Sequence, residues 1–212
     1  MSDRRSQIRL LFSQLSELID KHPYLVHSWR FAVGALYALD KSYQYHVERS
    51  SYTQPDIHLT QVRQVISQIY MEQSPDQIWL AGFHFNAALM RIAALYERSL
   101  RSLLSESKYN EKITVIRKGA PKDIKISEAH VNELAPIVQE RLFKSAHIKI
   151  TAAGKIRKEV NKLKHQVLGV LPQDAVTMEE AIEALREIMD LLCSPQSEQA
   201  LTKLYGAMVP PA

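Results

Sequence analysis

The sequence predicts an all-α fold: an up-down helical bundle with a long central helix and a short inserted basic hairpin or extended loop. Three observations lead there. Apolar residues recur at helical spacing along most of the chain, only 6 glycines interrupt its 212 residues, and helix-start signals precede several of the periodic stretches. With 46% hydrophobic and 24% charged residues the composition is that of a globular protein, and the length suffices for one well-packed core. No repeat, low-complexity tract or Ser/Gly linker divides the sequence. A single helical domain over 1–212 is expected, with 109–126 an insertion and 208–212 a fraying tail.

Residues 4–20 place Ile8, Leu11, Leu15, Leu18 and Ile19 on one helical face, and His22-Pro23 ends that helix because proline pushes its predecessor out of the α region. A second helix runs from Pro23 to about Ser50, with Tyr24, Trp29, Phe31, Tyr37, Tyr43 and Tyr45 as core and rim. After Gln54-Pro55-Asp56, the spacing of Ile57, Val62, Val65, Ile66 and Ile69 supports a short helix to about Met71. Ser74 as N-cap, Pro75 at the first helical position, Asp76 and Gln77 then open the longest helix, which reaches about Ser107.

The texture changes at KITVIRKGAPKDIKI, two β-branched runs around a Gly-Ala-Pro turn. This is a ribbon expected to press Ile113, Val115, Ile116, Ile124 and Ile126 on the bundle and to turn Lys112, Arg117, Lys118, Lys122 and Lys125 outward. A helical pattern returns from Ser127 to about Lys144, and Pro136 should kink or split it. Thr151 is placed to cap the next helix. Thr177 and Glu180 form a capping box ahead of MEEAIEALREIMDLLC, and a last short helix follows Pro195.

Charge is segregated. Residues 108–165 hold 14 Lys+Arg against 6 Asp+Glu, and residues 166–212 hold 2 against 7. A basic block of that density attracts phosphate, so nucleic acid is one expected partner; mutual neutralisation of middle and tail, within the fold or across a dimer, is the other arrangement. The single cysteine, Cys193, excludes an internal disulfide framework or a multi-cysteine zinc site. No glycine-rich phosphate loop, His-x-x-x-His pair, Glu-x-x-His pair or Gly-x-Ser-x-Gly elbow is present, so no metal or cofactor is expected. With no long apolar run and no secretory signal at the start, the expectation is a cytoplasmic protein without membrane contact.

The sharpest candidate site lies in RKEVNKLKHQ, residues 157–166. On a helical wheel Val160, Leu163, Val167 and Val170 fall within about 40° of Ile156, a core stripe, while Arg157, Asn161 and His165 follow one ridge at about 100°, 140° and 180°. That ridge is expected to face away from the core. An arginine can hold a phosphate bidentately and offset growing charge, and an imidazole can take a proton from a ribose 2′-hydroxyl or give one to a leaving oxygen, all without metal.

With its late helix carrying arginine, a polar residue and histidine, the chain resembles the HEPN superfamily (higher eukaryote and prokaryote nucleotide-binding). Active members of that family are metal-independent ribonucleases of toxin, abortive-infection and CRISPR systems, with arginine, four to six intervening residues, then histidine. Here seven residues intervene, Lys158 follows the arginine, and Asn161 stands in the polar role. The resemblance implies Arg157, Asn161 and His165 as catalytic residues, RNA as substrate, a homodimer with a composite site, and an antitoxin or complex subunit as a further partner. Lys158, Lys162 and Lys164 would contact phosphate. The same letters also suit the solvated face of a bundle helix.

Two further features carry positive charge. Gln77, His84, Arg91 and Arg98 recur every seven residues on the long helix, as a solvent-facing edge or as a phosphate groove in which His84 and Arg91 bind nucleic acid, and Glu97 is placed to orient an arginine across the bundle. The ribbon's Arg117, Lys118, Lys122 and Lys125 would touch phosphate without reading sequence, since no aromatic residue accompanies them. The alternative to a ribonuclease is a non-enzymatic helical adaptor or accessory subunit that docks a protein or nucleic acid through this basic middle.

Overall fold

The computed structural model describes residues 4–21, 26–47, 77–104, 112–143, 149–163 and 176–206. Several expected features lie outside the described residues: the short helix over 57–71, the Ser74-Pro75-Asp76 start, Lys164 and His165, and the tail at 208–212. Among the described residues there are seven α-helices and one two-stranded hairpin, so the fold is the expected helical bundle. They are α1 (Arg4–Lys21), α2 (Val26–Val47), α3 (Gln77–Leu104), β1 (Lys112–Arg117), β2 (Ala120–Lys125), α4 (Val131–Val138), α5 (Thr151–Leu163), α6 (Met178–Cys193) and α7 (Pro195–Gly206).

The core forms where the apolar faces meet. Ile8, Leu11 and Leu15 of α1 are buried together with Leu36 and Leu39 of α2, Leu89, Ile92, Leu95 and Leu100 of α3, and Leu185 and Ile188 of α6. At 28 residues α3 is about 42 Å long and serves as the spine against which α2, α4, α5, α6 and α7 all pack. Helices α2 and α3 run antiparallel, since Gly34 faces Arg91 while the earlier Phe31 faces the later Arg98.

Local signals set the ends of the elements. Thr177 caps α6: its hydroxyl accepts from the Glu180 N–H at 3.2 Å, and the Glu180 carboxylate accepts from the Thr177 N–H at 2.9 Å, the expected capping box. At α5 the expectation of a Thr151 cap is corrected. The first intrahelical bond runs from the Gly154 N–H to the Ile150 carbonyl, and the acceptor for the orphan donors comes from another helix: Glu187 of α6 receives the N–H groups of Thr151 (3.1 Å) and Ala153 (2.9 Å). Glu187 is only 3% exposed, so α5 begins on a buried carboxylate.

The hairpin also differs in detail. Its two-residue turn is Lys118-Gly119, both with positive φ (54° and 79°), rather than Gly-Ala-Pro. Two left-handed residues make the turn whose twist matches the strands. Ala120 and Pro121 therefore belong to β2, and Pro121 pairs with Ile116 at a position where no ladder bond is needed. Ile113, Val115, Ile124 and Ile126 are buried as expected, whereas Ile116 is 70% exposed, because strict alternation puts it on the outer face with Thr114. The region from Ser127 begins as a short 3-10 turn, α4 starts only at Val131, and a π turn over Gln139–Phe143 follows the helix that contains Pro136.

Candidate functional site

Helix α5 lies against α3 and α6. Ala153, Ile156 and Val160 form its buried stripe. Arg157, one residue off that stripe, reaches sideways to α3 instead of outward: its Nε donates to Glu97 Oε2 at 3.1 Å, and its Nη2 lies 2.9 Å from the same oxygen. Nη1 donates to Asn161 Oδ1 at 3.3 Å, joining two residues that share one ridge on the wheel. The Arg157 side chain is 18% exposed. The expectation of an outward ridge is thereby corrected at its first member, while Lys158, Asn161 and Lys162 are exposed.

Glu97 does more than hold Arg157. Its other oxygen accepts from Arg101 Nη2 at 2.8 Å, one turn along α3, and Arg101 in turn donates to the carbonyls of Ile126 and Ala129 where the hairpin joins α4. One carboxylate shared by two guanidinium groups thus ties α3, α5 and the hairpin junction together. Burial would raise the Glu97 carboxyl, but the Arg101 hydrogen bond and the charges of Arg157 and Arg101 outweigh it and hold Glu97 below the ordinary carboxylate range. The charged trio carries a formal net charge of +1, so it stays attractive to an anion.

Several other cations of the basic middle are committed within the fold. Arg117 donates to both oxygens of Glu133 on α4, at 2.8 and 2.9 Å, which corrects its placement as an outward phosphate contact. The Arg117 hydrogen bond, aided by the His130 N–H and opposed by burial, holds the Glu133 carboxyl down at about 2. Lys149 and Lys155 reach Glu183 and Glu180 of the acidic tail, and Lys162 pairs with Glu159 on its own helix. Middle and tail therefore do neutralise each other in part. Lys118, Lys122, Lys125 and Lys158 are exposed, with no described carboxylate within ion-pair distance.

About 100° round α3 from Glu97, the heptad residues His84, Arg91 and Arg98 line the junction with α2. Arg91 lies across Gly34, where an added Cβ would sit 2.9 Å from its Cδ and Nε, and its Nη1 donates to the Ala87 carbonyl. The Arg98 guanidinium stands 5.6 Å from the centre of the Phe31 ring, and Lys41 Nζ 5.8 Å from that of Tyr37. His84 packs edge-on to Phe83; burial first, then the charges of Lys41 and Arg91, lower its pKa. Glu97 orients an arginine across the bundle, as expected, whereas the seat of Arg91 on Gly34 follows from tertiary packing. Only the glycine in mid-helix is a sequence signal that could mark the Arg91 seat.

Other chemistry finds no support among the described residues. No group of three His, Cys, Asp or Glu side chains could hold a metal, and burial pushes the Cys193 thiol up to about 11, so it is not a thiolate nucleophile near neutral pH. No described helix is long and apolar enough to cross a membrane. No protein-family model, curated protein or solved structure matches the chain.

Proposed function

We propose that the protein acts on RNA through α5, as a metal-independent HEPN-like ribonuclease or as an RNA-binding protein derived from one. The observation that supports this best is the Glu97 carboxylate shared by Arg157 and Arg101, which fixes the Arg157 guanidinium beside Asn161 in a trio of net positive charge. A guanidinium held in place by its surroundings can offset charge growing on a phosphate without reorganising during the reaction. His165, eight residues further on, adds an imidazole, a side chain type suited to acid–base work. The neutral imidazole would take the proton of a ribose 2′-hydroxyl, that oxygen would bond to the adjacent phosphorus, and the 5′-oxygen would leave with a proton, giving a cyclic phosphate and a new 5′-hydroxyl end. A homodimer that joins two such sites, and an antitoxin or complex subunit as regulator, belong to the same reading. The test is incubation with end-labelled RNA in EDTA. Wild-type protein should give product bands and His165→Ala none; equal cleavage by the variant would contradict the proposal.

A second reading is favoured by one observation: Arg157 is mostly covered and each of its three guanidinium nitrogens already has a partner, while Lys118, Lys122, Lys125 and Lys158 stand outward. On that reading the protein is a non-enzymatic adaptor or accessory subunit that holds nucleic acid by its phosphates. RNA binding that weakens steeply with salt and yields no product bands in any condition would select it.

A further inference from the structure

At the α2–α3 seam, unlike the other described charged regions, cations stand beside aromatic rings. Along it, Lys41 stands by Tyr37, His84 by Phe83, Arg91 over Gly34, and Arg98 by Phe31. His84, Arg91 and Arg98 follow at intervals of seven residues, about 10.5 Å apart on a helix, so they span about 21 Å in a nearly straight line. Tyr37 of α2 is 56% exposed beside the seam, and Phe83, also 56% exposed, stands with Met90 on the neighbouring ridge of α3. No described carboxylate pairs with Lys41, Arg91 or Arg98. The one described acid on this stretch of α2, Asp40, is engaged by Arg5 of α1.

A protein partner would answer these cations with carboxylates but has no planar bases to set against the exposed Tyr37 ring. A nucleic-acid duplex presents phosphates yet hides its base faces within the stack. A single strand offers both at once: phosphates for the guanidinium and ammonium groups, and unstacked bases for the ring. We propose that the α2–α3 seam is a track for single-stranded RNA, bound through phosphate contacts to Lys41, Arg91 and Arg98 and through stacking on Tyr37, without sequence readout. This deepens the RNA reading by naming the form of the substrate and its path. Gly34 has a defined part in it, since its missing side chain leaves room for Arg91 Cδ and Nε against α2.

The experiment is fluorescence anisotropy of the full-length His165→Ala protein with a labelled 20-nucleotide oligouridylate, titrated at several salt concentrations, so that binding is read without cleavage. The Arg91→Gln/Arg98→Gln double variant should bind at least tenfold more weakly at low salt. Its salt slope should fall by about 1.4, at about 0.7 for each phosphate of the single strand that is no longer neutralised. Tyr37→Ser should weaken binding fivefold or more with the slope unchanged. A duplex of equal length should bind at least tenfold more weakly than the single strand. Melting temperatures within about 2 °C of the parent show that the exposed substitutions leave the fold intact. Undiminished affinity and slope in the double variant would overturn the proposal, as would duplex binding as tight as that of the strand. So would loss of binding only in Lys118→Gln/Lys122→Gln/Lys125→Gln, which would put the RNA on the hairpin. Failure of cleavage by the wild-type protein, with these binding results intact, would remove the ribonuclease reading and leave the track.

Discussion

The two flanks of α3 carry similar residues and treat them differently. Toward α5, Arg101 and Arg157 close on one carboxylate, Glu97, and their charge goes into joining α3, α5 and the hairpin junction. Toward α2, Arg91 and Arg98 face a glycine and an aromatic ring, and no described carboxylate pairs with them. Burial explains the contrast. A guanidinium that is about three-quarters covered or more must be paired, because an unpaired charge out of water is costly, whereas one at the rim can remain available. A basic composition therefore says little about which cations can meet a ligand; the position of the nearest carboxylate decides it.

The packed flank should break first. Glu187→Ala removes the acceptor for one buried and one part-buried N–H group at the start of α5 and leaves space in the core, so urea denaturation should show a loss of about 3 kcal/mol. Glu97→Ala leaves Arg101 and Arg157 facing each other with no anion between them. Since all three side chains retain some solvent contact, a loss of about 2 kcal/mol is expected, below that of a fully buried pair. Acid should loosen the hairpin through Glu133. Its carboxyl is held at about 2 in the folded chain against an ordinary value of 4.5, so the stability it lends is present above about 4.5 and is lost as the pH falls toward 2. Glu133→Gln should flatten that part of the melting-temperature profile. On the seam, Gly34→Ala should be neutral or stabilising by up to about 1 kcal/mol, because alanine favours the helix and the exposed Arg91 can swing away. The same substitution should weaken RNA binding, which separates the role of Gly34 in the seam from any role in folding.

Local patterns are legible in the sequence, and of the partners distant in the chain only the role of Glu97 in holding an arginine across the bundle is. The apolar spacing of Ile8, Leu11 and Leu15, the Thr177–Glu180 box and the strands of the hairpin depend on neighbours a few residues apart, and all form. The turn lies earlier than its letters suggest because Lys118 adopts a left-handed conformation that lysine seldom takes, while Gly-Ala-Pro offers the more familiar turn residues. A helical wheel turns Arg157 outward because it knows one core direction, whereas α5 has α3 along its flank and Glu97, sixty residues earlier, waiting there. The buried carboxylate that starts α5 is equally hidden, since Glu187 sits in a helix whose acidic residues look like a solvated face until the fold turns one of them inward.

The most direct measurement sets the melting temperature and the oligouridylate affinity of two variants side by side, Glu97→Gln and Arg91→Gln/Arg98→Gln. Glu97→Gln should lower the melting temperature by several degrees and leave affinity within about twofold, since a loss of 1 kcal/mol shifts melting by about 2–4 °C in a chain of this size. The double variant should do the reverse, losing at least tenfold in affinity at an unchanged melting temperature. Two variants that move both quantities alike, or a Glu97→Gln protein that loses affinity without losing stability, would contradict the division of α3 into a flank that fixes Arg157 and a flank that holds the strand.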